Sequence, residues 1–319
     1  MPAISASAPG KAILFGEHAV VHGRPAIAVP LSQVQAKVIV SAEPLGTPGK
    51  VHVEAPDIEL TSDLDRLDAD HPLVILLNGI RHYLGIQRLP AFRLRIRSTI
   101  PIAAGLGSGA AVSVATARAV SAFLGHPVPD EIISQLAFEV DKLYHGTPSG
   151  IDNTVVTYAR PIYFRIGEPF AALQVAEPFT LVIADSGLKS LTGEVVADVR
   201  RQWQRNKKKF EALFDAIAEI SEQARRVIEQ ERSALLGELM NRNHCLLQDM
   251  YVSSPELDRL VEVARQAGAA GAKLSGAGRG GNIIALAEAG AAPGVAAALE
   301  QAGARRTLIS TVTNPLPME

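Results

Sequence analysis

The sequence holds a single cysteine, Cys245, which excludes an intrachain disulfide and a cysteine cluster for zinc. We expect its side chain to be buried or half-buried in a helix. No stretch approaches the roughly 20 uncharged apolar residues of a membrane span. The longest apolar run, 109–124, contains Arg118. The first residues lack the basic segment and apolar core of an export signal. These absences predict a soluble protein of the reducing cytoplasmic compartment.

The sequence also lacks an excess of charge of either sign. Its 31 Lys and Arg residues against 33 Asp and Glu residues give a formal net charge of -2. An anionic ligand therefore needs a local binding site, because the overall charge provides no attraction. The basic run RRQWQRNKKK at 200–209 contains one aromatic residue, whereas a stacking platform for nucleic acid needs several. We interpret this run as a solvated helix face and predict no nucleic-acid or membrane partner.

The chain has 319 residues, 47% of them hydrophobic, which is enough for a large core in two domains. Alternating or β-branched segments predict strands, and apolar residues at helical spacing predict helices. The predicted strands are 36–41, 50–54, 92–96, 153–158, 161–165, 179–185, 272–276, 282–288 and 307–312. The predicted helices are 72–83, 110–124, 129–143, a largely helical block at 193–250, one from 254, and 292–302. A change in composition predicts domains at 1–170 and 171–319.

Residues 101–110, PIAAGLGSGA, place several glycines directly before a predicted helix. Glycine lets the backbone approach a ligand closely, and N–H groups at a helix start can converge on an anion. The segment lacks the Gly-Lys-Ser/Thr ending of a Walker loop and the usual position of a dinucleotide fingerprint. Taken alone, it fits an ordinary turn and a phosphate cradle equally well.

Three titratable residues, Lys11, Glu17 and His18, lie among apolar residues near the N-terminus. Burying such groups without partners costs several kcal/mol, which favours a functional site or an internal ion pair. For His18, a structural role with satisfied hydrogen bonds is equally compatible with the sequence. Lys11 follows Gly10 ahead of a strand and suits a point charge directed at phosphate.

Two further segments carry candidate site residues. In DKLYHGTPSGIDNTVV, 141–156, Asp152 leads into the strand predicted at 153–158, as a turn former or as a base for a substrate hydroxyl. Glu139 and Asp141 on the preceding helix are candidate Mg²⁺ ligands, with a solvated helix face as the alternative for one of them. In KLSGAGRGGNIIAL, 273–286, glycines and alanines surround Arg279 between two strands. A second glycine-rich loop is hard to explain as another coincidental turn.

Together these segments resemble the GHMP kinase superfamily over nearly the whole chain. Three of its motifs are similar to Pro9-Gly10-Lys11, to Pro101 through Ala110, and to Lys273 through Gly281. The segments GEHAVVHG, 16–23, and HGTPSGIDN, 145–153, resemble the branch whose members phosphorylate mevalonate. The resemblance implies an α+β two-lobe fold, with an N-terminal lobe like ribosomal protein S5 domain 2 and a ferredoxin-like C-terminal lobe.

The implied reaction is ATP- and Mg²⁺-dependent phosphorylation of the 5-hydroxyl of mevalonate, in isoprenoid biosynthesis. The resemblance assigns catalysis to Asp152, as base, and to Lys11, whose charge would keep Asp152 ionised. The implied mevalonate contacts are Glu17, His18, Gly150 and Thr192. The implied nucleotide contacts are Pro101, Ala104, Gly105, Leu106, Gly107, Ser108, Gly109, Ala110, Gly276 and Gly278. The implied metal ligands are Ser108 and Asp141, and a homodimer is implied by resemblance alone.

The chain departs from the family pattern at several positions. Gly109 stands in place of a second loop serine, and Asp141 in place of a longer glutamate. Both changes shorten the reach towards Mg²⁺, which commonly keeps several waters, so we expect a partly water-mediated metal site. Asn282 stands where relatives often have cysteine. Ser190, beside Lys189, stands where longer relatives have an arginine near the substrate carboxylate.

Three other functions remain compatible with the same motifs. One is a related kinase acting on phosphomevalonate or another hydroxy acid. Another is an ATP-dependent decarboxylase of the same superfamily. The third is a non-catalytic ligand sensor, which the presence of Lys11, Ser108 and Asp152 together disfavours.

Overall fold

The computed structural model describes residues 3–101, 104–145, 148–230 and 234–314. The chain forms two compact units and passes between them several times. The first unit consists of Met1–Gly10, Val34–Pro101 and Gly107–Tyr158, and the second of Lys11–Gln33, Ile102–Leu106 and Ala159–Glu319. The domain boundary near residue 170 stays a prediction.

The first unit contains a sheet and helices, and buried and exposed side chains alternate along one of its strands. The chain begins with β1 (Ala3–Phe15) and β2 (Ala26–Ala42), followed in the first unit by β3 (Val51–Ala55), β4 (Leu60–Asp63), α1 (Pro72–Tyr83), β5 (Phe92–Ser98), α2 (Ser108–Phe123), α3 (Asp130–His145) and α4 (Ile151–Tyr158). Strand β5 pairs with the second half of β2 in antiparallel register and with β3 in parallel register. Its Phe92, Leu94 and Ile96 are buried while Arg93 and Arg95 are exposed, as the sequence alternation predicts.

Arg118 joins three helices of this unit. Its guanidinium donates to the Asp130 carboxylate at the start of α3 at 2.8 Å, and to the Thr157 carbonyl near the end of α4. The Asn153 amide of α4 donates to the Ser134 carbonyl and hydroxyl of α3, at 3.0 and 2.8 Å. These contacts show that α4 runs antiparallel to α3. They also place Arg118 of α2 beside Asp130 at the start of α3 and Thr157 near the end of α4.

The strand predicted at 153–158 is wrong, because these residues lie in α4 (Ile151–Tyr158). Its valines and threonines favour a strand in isolation. In the folded unit, every residue from Ile151 to Thr157 except Asp152 is buried, and α4 packs against both α2 and α3. A helix that is apolar on nearly all sides suits this enclosed position, so tertiary packing overrides the local β preference.

The second unit is built on a four-stranded antiparallel sheet. Its elements are β6 (Ile162–Phe164), β7 (Ala171–Ala172), β8 (Phe179–Asp185), α5 (Thr192–Arg205), α6 (Lys207–Glu229), α7 (Ala234–Asp249), α8 (Pro255–Gln266), β9 (Gly271–Ser275), β10 (Asn282–Ala287), α9 (Ala292–Gln301) and β11 (Arg306–Val312). The strand order is β11-β8-β10-β9. The largely helical block predicted at 193–250 consists of α5, α6 and α7. Alternate residues of the central strands, such as Val182, Ala184 and Ile283, form one core with apolar residues of the helices.

Two local predictions in this unit have opposite outcomes. Ser254 precedes Pro255 and caps α8, since its side chain accepts a hydrogen bond from the Leu257 N–H. Cys245 lies in α7 as predicted, but its side chain is exposed, so the expectation of burial is wrong. Helix α7 buries its neighbours Asn243 and His244 instead. In the described part of the chain, no helix is both long and apolar enough to cross a membrane.

Helix α7 and strand β9 approach each other through two glycines. A Cβ added at Gly237 would lie 2.5 Å from the Ala270 carbonyl oxygen, and one at Gly271 would lie 2.0 Å from the Gly237 carbonyl oxygen. Both distances are shorter than any tolerated contact with backbone, so the packing of this helix on the sheet depends on the absence of side chains.

We expect Gly237→Ala to lower the free energy of unfolding by about 1–3 kcal/mol, the range for overpacking against a rigid neighbour. The matched control is Gly193→Ala in α5, where an added Cβ meets nothing within 4 Å. That change should be neutral or stabilise by up to about 1 kcal/mol, since alanine favours a helix more than glycine does. Urea unfolding followed by circular dichroism measures both, and equal stability of the two variants would contradict the packing argument.

Candidate active site

Three of the predicted motifs meet within the second unit. Lys11 lies in β1, its side chain is buried, and its backbone N–H donates to the Leu106 carbonyl at 2.9 Å. This bond places the N-terminal lysine directly beside the first glycine-rich loop. Gly105 in that loop is exposed and has a φ of 72°, a conformation that glycine adopts without steric cost. The predicted nucleotide contacts Ala104 and Leu106 are buried on either side of it.

Glu17 forms a buried ion pair with Lys273. The side chains of Lys273 and Glu17 are 0% and 1% exposed, and Lys273 Nζ donates to Glu17 Oε1 and to the Leu274 carbonyl. Burial raises the pKa of Glu17, and the nearby Lys273 and Lys11 charges oppose that shift. Burial likewise lowers the pKa of Lys273, and the Glu17 carboxylate opposes it. Burial therefore disfavours both charged forms, and each charged group favours the charged form of the other.

His18 makes a different link to the same region. Its Nε2 donates to the Ala277 carbonyl at 2.8 Å, so the ring proton lies on Nε2. Its Nδ1 is buried and has no hydrogen-bond partner among the described residues. Burial lowers the pKa of His18 to about 4, so the imidazole is neutral near pH 7. The residue adopts a φ of 60°, a region that costs free energy for a side chain of this size.

The second glycine-rich loop, Gly276–Gly281, follows β9. Gly276 has a φ of 94°, and a Cβ there would meet nothing within 4 Å. Gly278 has a φ of 85°, and a Cβ there would lie 1.9 Å from the Val252 carbonyl oxygen. One glycine thus leaves backbone open to a ligand, while the other permits close packing. Arg279 points away from the loop, donating to the Tyr251 carbonyl at 3.0 Å and pairing with Asp198.

Two residues of the second unit that depart from the family pattern, Asn282 and Ser190, donate hydrogen bonds to the glycine-rich loops. The Asn282 amide donates to the Ala104 carbonyl and so links the two glycine-rich loops. The Ser190 hydroxyl donates to the Gly278 carbonyl at 2.6 Å. Thr192, two residues further on, is half-buried at the start of α5. Lys189 is exposed beside Ser190.

The remaining predicted residues lie in the first unit. Gly107, with a φ of 76°, is the N-cap of α2, and Ser108, Gly109 and the buried Ala110 form its first turn. The first N–H groups of an α-helix have no partner within the helix and mark its positive end. Pro101 is buried just before residues 102 and 103, which lie outside the described chain.

Asp141 and Asp152 lie on the two helices packed against α2. From the level set by Asp130 and Thr157, Asp141 lies about 16 Å along α3 and Asp152 about 8 Å along α4, and both lie towards the same end because the two helices are antiparallel. Asp141 is 8% exposed, whereas Glu139 is exposed and pairs with Lys142 at 2.6 Å. Glu139 therefore belongs to the solvated face, and Asp141 stays the predicted metal ligand.

Asp152 occupies the first turn of α4 and is half-buried. The turn before it contains Gly150, with a φ of 89°, whose carbonyl accepts the Thr154 hydroxyl at 2.6 Å. Residues 146 and 147 of the predicted substrate segment lie outside the described chain. The Asp152 carboxylate, in the first turn of α4, is suited to accept a proton. The start of α2 is suited to bind a phosphate.

The sequence interpretation did not include Lys273 and Ser190 among the site residues, although it noted both. A lysine between Ala272 and Leu274 in a strand pattern is as unusual as Lys11 between Gly10 and Ala12. That signal indicated a buried charge in need of a partner. Its partner Glu17 is distant in sequence, and only the fold brings the two together.

Both parts of the chain match one family of phosphotransferases. The GHMP kinases N-terminal domain matches residues 73–160, and the GHMP kinases C-terminal domain matches residues 213–305. The chain belongs to the GHMP kinase family and to the class of ATP-dependent small-molecule kinases. The predicted two-lobe fold, the kinase class and the family resemblance are confirmed.

Individual relatives are more specific. The mevalonate kinase of Pyrococcus abyssi is 38% identical over 318 residues, covering 94% of this chain and 93% of the relative. The crystal structure of L. major mevalonate kinase in complex with R-mevalonate superposes with a TM-score of 0.83 at 30% identity, covering 97% of this chain and 96% of that one. For the Methanococcus jannaschii mevalonate kinase the TM-score is 0.84 at 25% identity, with 99% of both chains covered.

Proposed function

We propose that this protein transfers the γ-phosphoryl group of ATP to the 5-hydroxyl of mevalonate. The observation that carries the proposal is the full-length similarity to mevalonate kinases, one of them crystallised with R-mevalonate. It is supported by the meeting of Lys11, the Gly105 loop and the Gly276–Gly281 loop in one unit. A cytoplasmic location and a homodimer are part of the proposal and rest on the resemblance.

The nucleotide phosphates are assigned to backbone. Gly276 presents main chain with no other atom within 4 Å of an added Cβ, and Gly105 is exposed, with only the Asn282 amide nitrogen that close, at 3.9 Å. The first turn of α2 is proposed to add N–H groups at its positive end. Backbone donors of this kind stabilise the charge that develops on the transferred group, and they need no rearrangement during the reaction. Lys11 adds a point charge at the same loop.

Asp152 is assigned as the base. Its carboxylate accepts the proton of the 5-hydroxyl as that oxygen attacks the γ-phosphorus, and the bond from the γ-phosphorus to the bridging oxygen breaks to release ADP. Lys11 is assigned to stabilise the phosphoryl oxygens. Thr192 and Gly150 remain the proposed substrate contacts. The protein forms no covalent bond to the transferred group in this step. Positioning of the two substrates and stabilisation of the phosphoryl charge therefore provide most of the catalysis.

The residues proposed to hold magnesium fit that ion. Ser108 and Asp141 offer a hydroxyl and a carboxylate, the oxygen donors that Mg²⁺ prefers. Among the described residues, no group of three or more His, Cys, Asp or Glu side chains could hold a metal by itself. Two protein ligands leave room for water and phosphate oxygens, which matches the reluctance of Mg²⁺ to lose its waters. When bound, the ion neutralises charge on the triphosphate.

The proposed acceptor is tested with a coupled assay for ADP release over a panel of mevalonate, phosphomevalonate, homoserine and sugars. We expect mevalonate to give the highest kcat/KM, and no ADP release with mevalonate would refute the proposal. Release of labelled CO₂ from a carboxyl-labelled substrate would indicate the decarboxylase alternative. Ligand binding without ADP formation would indicate a sensor.

Asp152→Asn should lower kcat by at least about 100-fold, the lower scale for losing a positioned acid–base group. The amide cannot accept the hydroxyl proton, but it keeps the size of the carboxylate. Folding and ATP affinity should stay near those of the wild type, as measured by circular dichroism and isothermal titration calorimetry. Near-wild-type turnover would remove Asp152 from the mechanism.

Asp141→Asn should raise the Mg²⁺ concentration needed for half-maximal activity by about 10-fold or more, since loss of a ligand or its support costs that much affinity. Glu139→Gln is the matched control on the same helix, because its carboxylate is exposed and paired with Lys142. The control should leave the Mg²⁺ titration unchanged. Equal shifts in both variants would show a general charge effect and contradict a specific role for Asp141.

A further inference from the structure

Residues 16–18, Gly-Glu-His, contact strand β9 and the loop that follows it. Glu17 pairs with Lys273 in β9, and His18 donates to Ala277 in the following loop. A third link comes from Ser275, whose hydroxyl donates to the Ile13 carbonyl at 2.8 Å. Residues 13–18 are therefore joined to residues 273–277 by three hydrogen bonds that involve side chains, all within the second unit.

The buried ion pair is not explained by stability alone. Two charges in an apolar interior lose hydration that their mutual attraction barely restores, and apolar replacements of similar volume are often equally stable. Here Lys273 is fully buried, and Glu17 Oε2 has no hydrogen-bond partner among the described residues. A pair with one unsatisfied oxygen contributes little net stability, but it fixes the position of both segments that carry it.

Those segments border the glycine-rich loop Gly276–Gly281. Lys273 precedes the loop by three residues, and His18, next to Glu17, bonds to its second residue. Gly276 lies between these two anchors and leaves its backbone open. Displacement of Lys273 or of His18 would move the backbone of Gly276, because this glycine has no side chain that could hold it in place.

We propose that Lys273 is a positioning residue for the nucleotide: through its ion pair with Glu17, and with His18 on Ala277, it holds the Gly276–Gly281 loop in the conformation that the phosphates require. Glu17 and His18 then act on the loop, and not as the mevalonate contacts that the family resemblance implies. This inference rests on the proposed function only in assigning a nucleotide to that loop.

The test replaces the pair by apolar residues of similar volume, Glu17→Met with Lys273→Met. We expect this double variant to keep wild-type stability in urea within the error of the measurement. Its Kd for the non-hydrolysable nucleotide AMP-PNP with Mg²⁺, measured by calorimetry, should rise by about 10-fold or more, since small misplacements of binding groups are costly. Hydrogen exchange of peptides covering 273–281 should become faster.

The control for a general loss of stability is Val295→Ala, which shortens a fully buried side chain on α9, a helix packed against β8 and β11. It should lower stability without changing the Kd for AMP-PNP or exchange in the loop. Unchanged nucleotide affinity in a folded double variant would overturn the proposal. A raised KM for the acceptor at unchanged AMP-PNP affinity would also overturn it and restore Glu17 as a substrate contact.

If the double variant does not fold, Glu17→Gln decides, because it keeps the shape of the side chain and loses only its charge. AMP-PNP affinity and loop exchange equal to wild type would then overturn the proposal. AMP-PNP binding needs no acceptor, so a wild-type protein that binds the nucleotide but does not phosphorylate mevalonate refutes the proposed function alone. A wild-type protein that does not bind AMP-PNP refutes both.

Discussion

A loop rich in glycine has few side chains with which to hold its own shape, so neighbouring segments of the second unit have to hold it. The loop Gly276–Gly281 is held from outside by the His18 imidazole on Ala277 and by the Ser190 hydroxyl on Gly278. Its last glycine donates from its N–H to the Leu188 carbonyl at 2.8 Å. These bonds go to loop backbone and leave Gly276 uncovered. The loop backbone proposed to approach a ligand is thus held by polar groups of neighbouring segments.

Two lysines show how far the sequence alone could lead. Lys11 and Lys273 both interrupt apolar stretches, and both patterns correctly indicate a buried or nearly buried charge. What the pattern could not indicate is the partner, because Glu17 lies 256 residues from Lys273. Chain distance of that order carries no local signal in one sequence. The same limit applies to Asn282, which looked like a departure from the family and forms the bond to Ala104 between the two loops.

The fold was predictable where one face of an element meets solvent. Strand β5 alternates buried and exposed side chains, and helices α1 and α8 carry apolar residues at regular helical spacing. The prediction was wrong where no face meets solvent. Helix α4 is buried on nearly all sides, so its sequence has no helical periodicity, and its β-branched residues indicated a strand. For Asp152 the consequence is chemical, since a helix start attracts negative charge and a strand entrance does not.

The departures at Gly109 and Asp141 act on different parts of the proposed chemistry. Gly109 lies exposed in the first turn of α2, where phosphate binding depends on N–H groups that every residue but proline supplies. Under the proposed function, absence of a hydroxyl there removes one possible metal ligand and leaves these N–H groups in place. Asp141 is nearly buried in α3, so a side chain one methylene shorter than glutamate cannot swing outwards to recover its reach. Because Mg²⁺ commonly keeps several of its waters, the proposed site accommodates both changes through water-mediated contacts, and the backbone proposed to bind the nucleotide stays the same.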